Sequence, residues 1–186
     1  MGIRKNSLAI DYQRKKRSAI YESGMAVASF LIKDAQPLYK VSILPLGNKV
    51  KGTVLKTEKD LLNNNKSQIK AMIGMALAGR IAEEMFYDGM ASTRCIDDMK
   101  RATNVSMVYL RKLAMMEDVS LISADKDSLS EEYNQMLEMK AKEMMNEIYE
   151  DVYNLMQKNK YKIDQVAKVL VEKETLTKKE VSELIK

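Results

Sequence analysis

Apolar positions along the chain fall into long helical stretches, interrupted once by a short alternating segment. Over residues 14–33, Ile20, Gly24, Val27 and Leu31 recur at helical spacing, which predicts an amphipathic helix. Gly24 sits inside it, where glycine costs roughly 1 kcal/mol relative to alanine. Its presence there predicts a close approach by another backbone or a bulky group, and Pro37 closes the unit. The stretch "YKVSILPLGNKVKGTVLK" then sets β-branched residues around the turn signal "LPLGN", predicting a short β-hairpin of 39–46 and 49–56. From Lys66 onwards the period is helical. A helix over 67–87 has a middle of small and apolar residues and should be central. A second, over 97–116, carries Asp97 and Asp98 in its first turn, complementing the helix dipole. Then come a long charged helix over 129–159, another over 160–173 and a short one over 177–186, with Thr177 and Glu180 at capping-box spacing. Loops are expected at 88–95 and 117–128. The expected fold class is mainly α, a helical bundle with a small β-hairpin near the N-terminus.

Charge changes the picture at one end only. Residues 1–20 hold Arg4, Lys5, Arg14, Lys15, Lys16 and Arg17 against the single acid Asp11, which accounts for the whole net charge of +5. The chain is therefore read as a basic N-terminal arm, 1–18, followed by one neutral domain, 19–186. Such an arm suits nucleic acid, anionic lipid or an acidic partner, and is acid-poor as an organellar import segment would be. A solvated basic connector is the plainest reading. No run approaches the ~20 apolar residues of a membrane-spanning helix.

Composition excludes more than it suggests. Of 186 residues, fifteen are methionine, one is cysteine (Cys95) and none is histidine or tryptophan. One cysteine rules out an internal disulfide and fits a reducing compartment. Without histidine a Ser-His-Asp or Cys-His triad is excluded, and an all-protein zinc site loses its commonest ligand.

Six segments, in order, resemble one family. "RKNS" is similar to an Arg-Lys-Ser entry, and "AIYESGMAVASFL" resembles A-Y-H-E-A-G-H-A followed by apolar residues. "PLYKVSILPLG" resembles P-V-x-K-V-[ST]-I-x-P-R-G, and "LAGRIAEEMFYDG" resembles L-G-G-R-A-A-E-E-hydrophobic-x-F-G. "DDMKRAT" and "LVEKETLTKKEVSELI" complete the series. The chain resembles the peptidase domain of the FtsH family of membrane-anchored, ATP-dependent zinc metalloproteases. That resemblance implies a helical bundle of the FtsH peptidase type.

The implied chemistry breaks down at identifiable positions. The family's two ligand histidines fall on Tyr21 and Met25, while its catalytic glutamate falls on Glu22 and its third zinc ligand on Asp98. A phenol with an ordinary pKa near 10 is a poor zinc donor, and a thioether prefers Cu(I). Just before Asp98, "STRCIDD" stands where the family has T-T-G-A-S-N-D, so Arg94 and Ile96 replace small residues and are expected to fill part of the groove. No zinc, no other cofactor and no peptidase activity are expected, which leaves Glu22 vestigial as a catalytic residue and Tyr21, Met25 and Asp98 vestigial as metal positions. Three alternatives stay open. Tyr21, Glu22 and Asp98 could form a new hydrolytic group; Met25, Met136, Met139, Met144 and Met145 could handle copper; and Cys95 beside Arg94 could be a reactive thiol.

The family's ATPase module carries a Gly-x-x-x-x-Gly-Lys-Ser/Thr loop; no such motif occurs in these residues, so no ATP is expected. The resemblance thus implies an inactive peptidase-like body serving as a structural or accessory subunit of a larger membrane-associated assembly. A mitochondrial inner-membrane complex, respiratory chain or ATP synthase, is the expected host. The alternative is a non-catalytic regulatory subunit of a hexameric FtsH-type protease. Partners are expected to be protein subunits, with membrane contact indirect or through the basic arm and no nucleic acid.

Overall fold

Helix α1 (Gly2–Leu31) starts well before the expected residue 14, runs through the basic segment without interruption and ends six residues ahead of Pro37. Residues 11–14 are exposed, whereas every residue from 19 to 28 is buried. The second half of α1 is therefore a central helix covered on all sides, not an amphipathic one with a single apolar stripe. Its partner is α2 (Lys66–Phe86), whose apolar middle is equally buried, as its composition predicts. Each fully enclosed side chain here, such as Ile73 or Ile81, contributes about 1.5–3 kcal/mol.

The computed structural model describes residues 2–46, 49–50, 54–55, 64–112 and 129–186. Beyond α2 come a short 3-10 turn (Thr93–Cys95), α3 (Ile96–Arg111), α4 (Glu131–Lys158), α5 (Lys160–Lys173) and α6 (Lys178–Leu184). The end of the helix expected to Met116 and the connector expected over 117–128 lie outside the described residues. The helix starts obey local chemistry. Asn65 and Gln68 form a reciprocal capping box at α2, and the Ser130 hydroxyl accepts from the Tyr133 N–H at α4. Thr177 and Glu180 form the expected box at α6. That box draws the Glu180 carboxyl down to about 2, chiefly through the Thr177 backbone N–H, with Lys173 assisting.

Strand β1 (Leu38–Ser42) is the middle of a three-stranded antiparallel sheet, between β4 (Val54–Leu55) and β5 (Thr175–Thr177). β2 (Pro45–Leu46) and β3 (Lys49–Val50) pair separately, Pro45 with Val50 and Leu46 with Lys49. The expected hairpin is therefore present in its described residues, while 47–48, 51–53 and 56 lie outside them. β5 is the addition: it pairs Lys40, Val41 and Ser42 with Thr177, Leu176 and Thr175. Three residues are too few to show an alternating pattern, so this strand exists only because β1 offers it an edge.

Glu174 adds a polar link between the C-terminal part and the N-terminal part, beside the β1–β5 pairing and the packing of α5 on α1. Glu174 takes the left-handed conformation (φ 63°) that ends α5 and turns the chain into β5. Its carbonyl accepts from the Ile43 N–H at 2.9 Å and from the Ser42 hydroxyl at 3.1 Å, and its carboxylate meets Lys15 at 2.6 Å. Among the described residues no helix is long and apolar enough to cross a membrane.

The α1–α2 crossing is set by small residues. A Cβ at Gly24 would lie 2.3 Å from the Ala82 Cβ and 3.1 Å from the Ala78 carbonyl oxygen, so the helices touch backbone to side chain there. The close approach expected from the sequence is this one. Gly24→Ala gains helix propensity but must push two helices apart; a net loss of about 2 kcal/mol is expected. Urea unfolding of Gly24→Ala beside Gly24→Ala with Ala82→Gly checks this, since the second change should restore most of the loss.

Candidate functional site

Tyr21, Glu22 and Met25 all lie in the enclosed half of α1, with Tyr21 and Met25 one turn apart on the same face. Asp98 reaches them from the first turn of α3. The loop between α2 and α3 sets its position. Asp88 and Gly89, both with positive φ, reverse the chain, and the Gly89 N–H donates to the Glu84 carbonyl. Glu83 then fixes the loop's return: its wholly buried carboxylate accepts from the Ser92 N–H at 2.7 Å, the Ser92 hydroxyl at 2.9 Å and Arg17 Nε at 3.0 Å. Arg17 also donates to the Met90 carbonyl and stacks over the Tyr87 ring. A buried carboxylate held by several donors is a strong, specific fastening.

Within this frame the site is filled by its own side chains. The Tyr21 hydroxyl donates to Asp98 Oδ2, so a direct hydrogen bond joins the two positions that the resemblance assigns to metal ligands. The Tyr21 ring lies flat against α2 at Gly79, where a Cβ would come within 2.5 Å of ring carbons. Burial pushes the Tyr21 hydroxyl far above the usual phenol range, and the hydrogen bond to Asp98 and that residue's charge push it further. It is a permanent donor. Arg94 Nη2 donates to Glu22 Oε1 at 2.6 Å, Nη1 donates to the Ser18 hydroxyl at 3.0 Å, and the guanidinium lies 5.3 Å from the Tyr21 ring centre. The two substituted loop residues thus part company. Arg94 enters the cleft as expected, whereas Ile96 is 49% exposed and fills nothing.

Tested against a catalytic zinc, this donor set does not fit. Zinc wants three strong donors and an open position. Tyr21 holds its proton and spends it on Asp98, Met25 offers a soft thioether, and Arg94 places a cation on Glu22. Among the described residues no group of three or more Cys, Asp or Glu side chains is placed to hold a metal ion.

The sequence match to "Peptidase family M41" extends over residues 8–184. The chain belongs to this family. Among its relatives, the ATP-dependent zinc metalloprotease FtsH 3 of Phytoplasma mali is 29% identical over 185 residues, covering 100% of this chain and 30% of that protein. FtsH of Streptobacillus moniliformis is 30% identical over 195 residues, covering 100% of this chain and 28% of its own. The mitochondrial inner membrane m-AAA protease component of Schizosaccharomyces pombe is 29% identical, with 99% and 25% covered. The chain therefore spans under a third of the length of these M41 relatives.

Of the residues singled out in this M41 sequence, Tyr21, Glu22, Arg94 and Asp98 come together. The α4 methionines do not converge: Met144 is buried in the core while Met139 is 65% exposed. Cys95 is buried and its thiol donates to the Ser92 carbonyl. Glu83 and its partner Arg17 escaped sequence reading, although the "AEE" of α2 was a usable signal, because an acid amid an apolar helix requires a partner.

The Tyr21–Asp98 bond has a pH signature. In the unfolded chain a tyrosine ionises near pH 10, whereas folded Tyr21 keeps its proton. Its contribution is therefore complete below pH 10 and falls as pH rises beyond it, by about 1.4 kcal/mol per unit. Tyr21→Phe should cost about 1–3 kcal/mol at pH 8, since Asp98 loses its donor. The gap from wild type should then narrow above pH 10, as urea unfolding between pH 8 and 11 would measure. Tyr149, also raised by burial and by its bond to Glu84, is unaffected by the substitution and serves as the internal background.

Proposed function

We propose that this M41 chain is inert as a peptidase and serves as a structural or accessory subunit of a larger membrane-associated assembly. The observation that carries the reading is the self-satisfied cleft: Tyr21 on Asp98 and Arg94 on Glu22. In the reaction class of the relatives, a metal lowers the pKa of water from 15.7 to about 7 and polarises the scissile carbonyl. Here Glu22 is paired with a guanidinium, which occupies the carboxylate that would otherwise act as general base. The same set argues against a new hydrolytic trio, because the phenol and both carboxylates are engaged with protein partners. What remains useful is a packed helical body, extended at one end by the basic first half of α1.

A mitochondrial inner-membrane complex, respiratory chain or ATP synthase, is the proposed host; the location named for the Schizosaccharomyces pombe relative supports it. A second reading is a non-catalytic regulatory subunit of a hexameric FtsH-type protease, supported by relatives that are themselves ATP-dependent proteases. The arm of α1 would meet anionic lipid or an acidic protein surface in either setting.

Two measurements decide these points. Purified protein should contain far less than one zinc per chain and should not cleave casein; stoichiometric zinc, or cleavage abolished by Glu22→Gln, would overturn the inert reading. Purification in the native state should show co-migration with a respiratory or ATP-synthase complex. Co-migration with ATPase subunits would instead establish the regulatory reading.

A further inference from the structure

We infer that the Arg94 guanidinium is the resident cation of this cleft and excludes divalent metal by charge, independently of the missing histidines. Arg94 sits in the 3-10 turn Thr93–Cys95, immediately ahead of the helix that carries Asp98. From there it reaches across to α1, donating to Glu22 and Ser18 and lying over the Tyr21 ring. Glu22 is 3% exposed, and a carboxylate so enclosed requires a positive partner. In a metallopeptidase the ion supplies that charge; here the guanidinium does so, at 2.6 Å.

The consequence is specific. Exchanging Tyr21 and Met25 for histidine restores two donors beside Asp98, yet a divalent ion entering then meets a fixed positive charge a few ångströms away. Repulsion between such charges in a partly enclosed site is large. Loss of metal is thus a three-position change, and Arg94 is one of the three. This inference rests on the inert reading above, and zinc in the wild-type chain would defeat that reading before this one is reached.

The test uses the full chain carrying Tyr21→His with Met25→His, compared with the same pair plus Arg94→Gly. Zinc affinity is read by competition against a chromophoric chelator, with no need for activity. The triple variant should bind zinc about a hundredfold more tightly than the double. No gain on adding Arg94→Gly overturns the inference, whether both variants bind or neither does. A double-mutant cycle keeps it testable if the histidine variants fail to fold. Arg94→Gln and Glu22→Gln should each lower the melting temperature, while the pair should recover most of the loss. Additive losses would refute the pairing as the source of Glu22's countercharge.

Discussion

The close crossing of α1 and α2 is the constraint on which the rest of the molecule depends. Helices of ordinary side chains pack 8–10 Å apart. Gly24 against Ala82, and Gly79 against the Tyr21 ring, leave no room for a Cβ at either glycine. With the crossing fixed, residues 19–28 are enclosed on every side, and a carboxylate or phenol among them depends on a partner that the fold brings to it. Glu22 is such a group, and so is the Tyr21 hydroxyl. The loop between α2 and α3 supplies Arg94 and sets the start of α3, which supplies Asp98, and this is why its own anchorage by Glu83 matters so much.

That anchorage also sets the donors that meet the acids of the cleft. A zinc site is a set of negative or neutral donors arranged around a positive centre, so removing the centre leaves buried acids facing each other. In this chain each acid has been given its own donor: a neutral phenol for Asp98 and a guanidinium for Glu22. The phenol extends beyond the reach of an imidazole and spans the gap directly. The guanidinium restores the charge balance. Both pairings are compatible with the same backbone, so the fold retains its family membership with the acids of its cleft paired internally.

Much of the fold was legible because it is local. Helix period and the Thr177–Glu180 box depend on neighbours within a few residues, and they placed the starts of α2 to α6 within two residues. The errors have a common cause. α1 begins early since nothing in its polar first half breaks a helix, and hydrophobic spacing says nothing about a helix that leaves the core. β5 was missed because its partner lies over a hundred residues away.

The sequence by itself determined the family, the loss of the two histidines and the helical architecture, since motif spacing and period are properties of the chain. Tertiary structure alone decided which side chains pair with the acids of the cleft. Arg94 and Ile96 are two residues apart and looked equivalent as bulky substitutions for small ones. Yet Arg94 points into the cleft from the 3-10 turn, while Ile96, first residue of α3, faces solvent. Direction across a turn is set by where α1 lies, and the position of α1 is fixed by contacts far away in sequence. A buried carboxylate announces that it needs a partner, and only the fold names the side chain that can reach it.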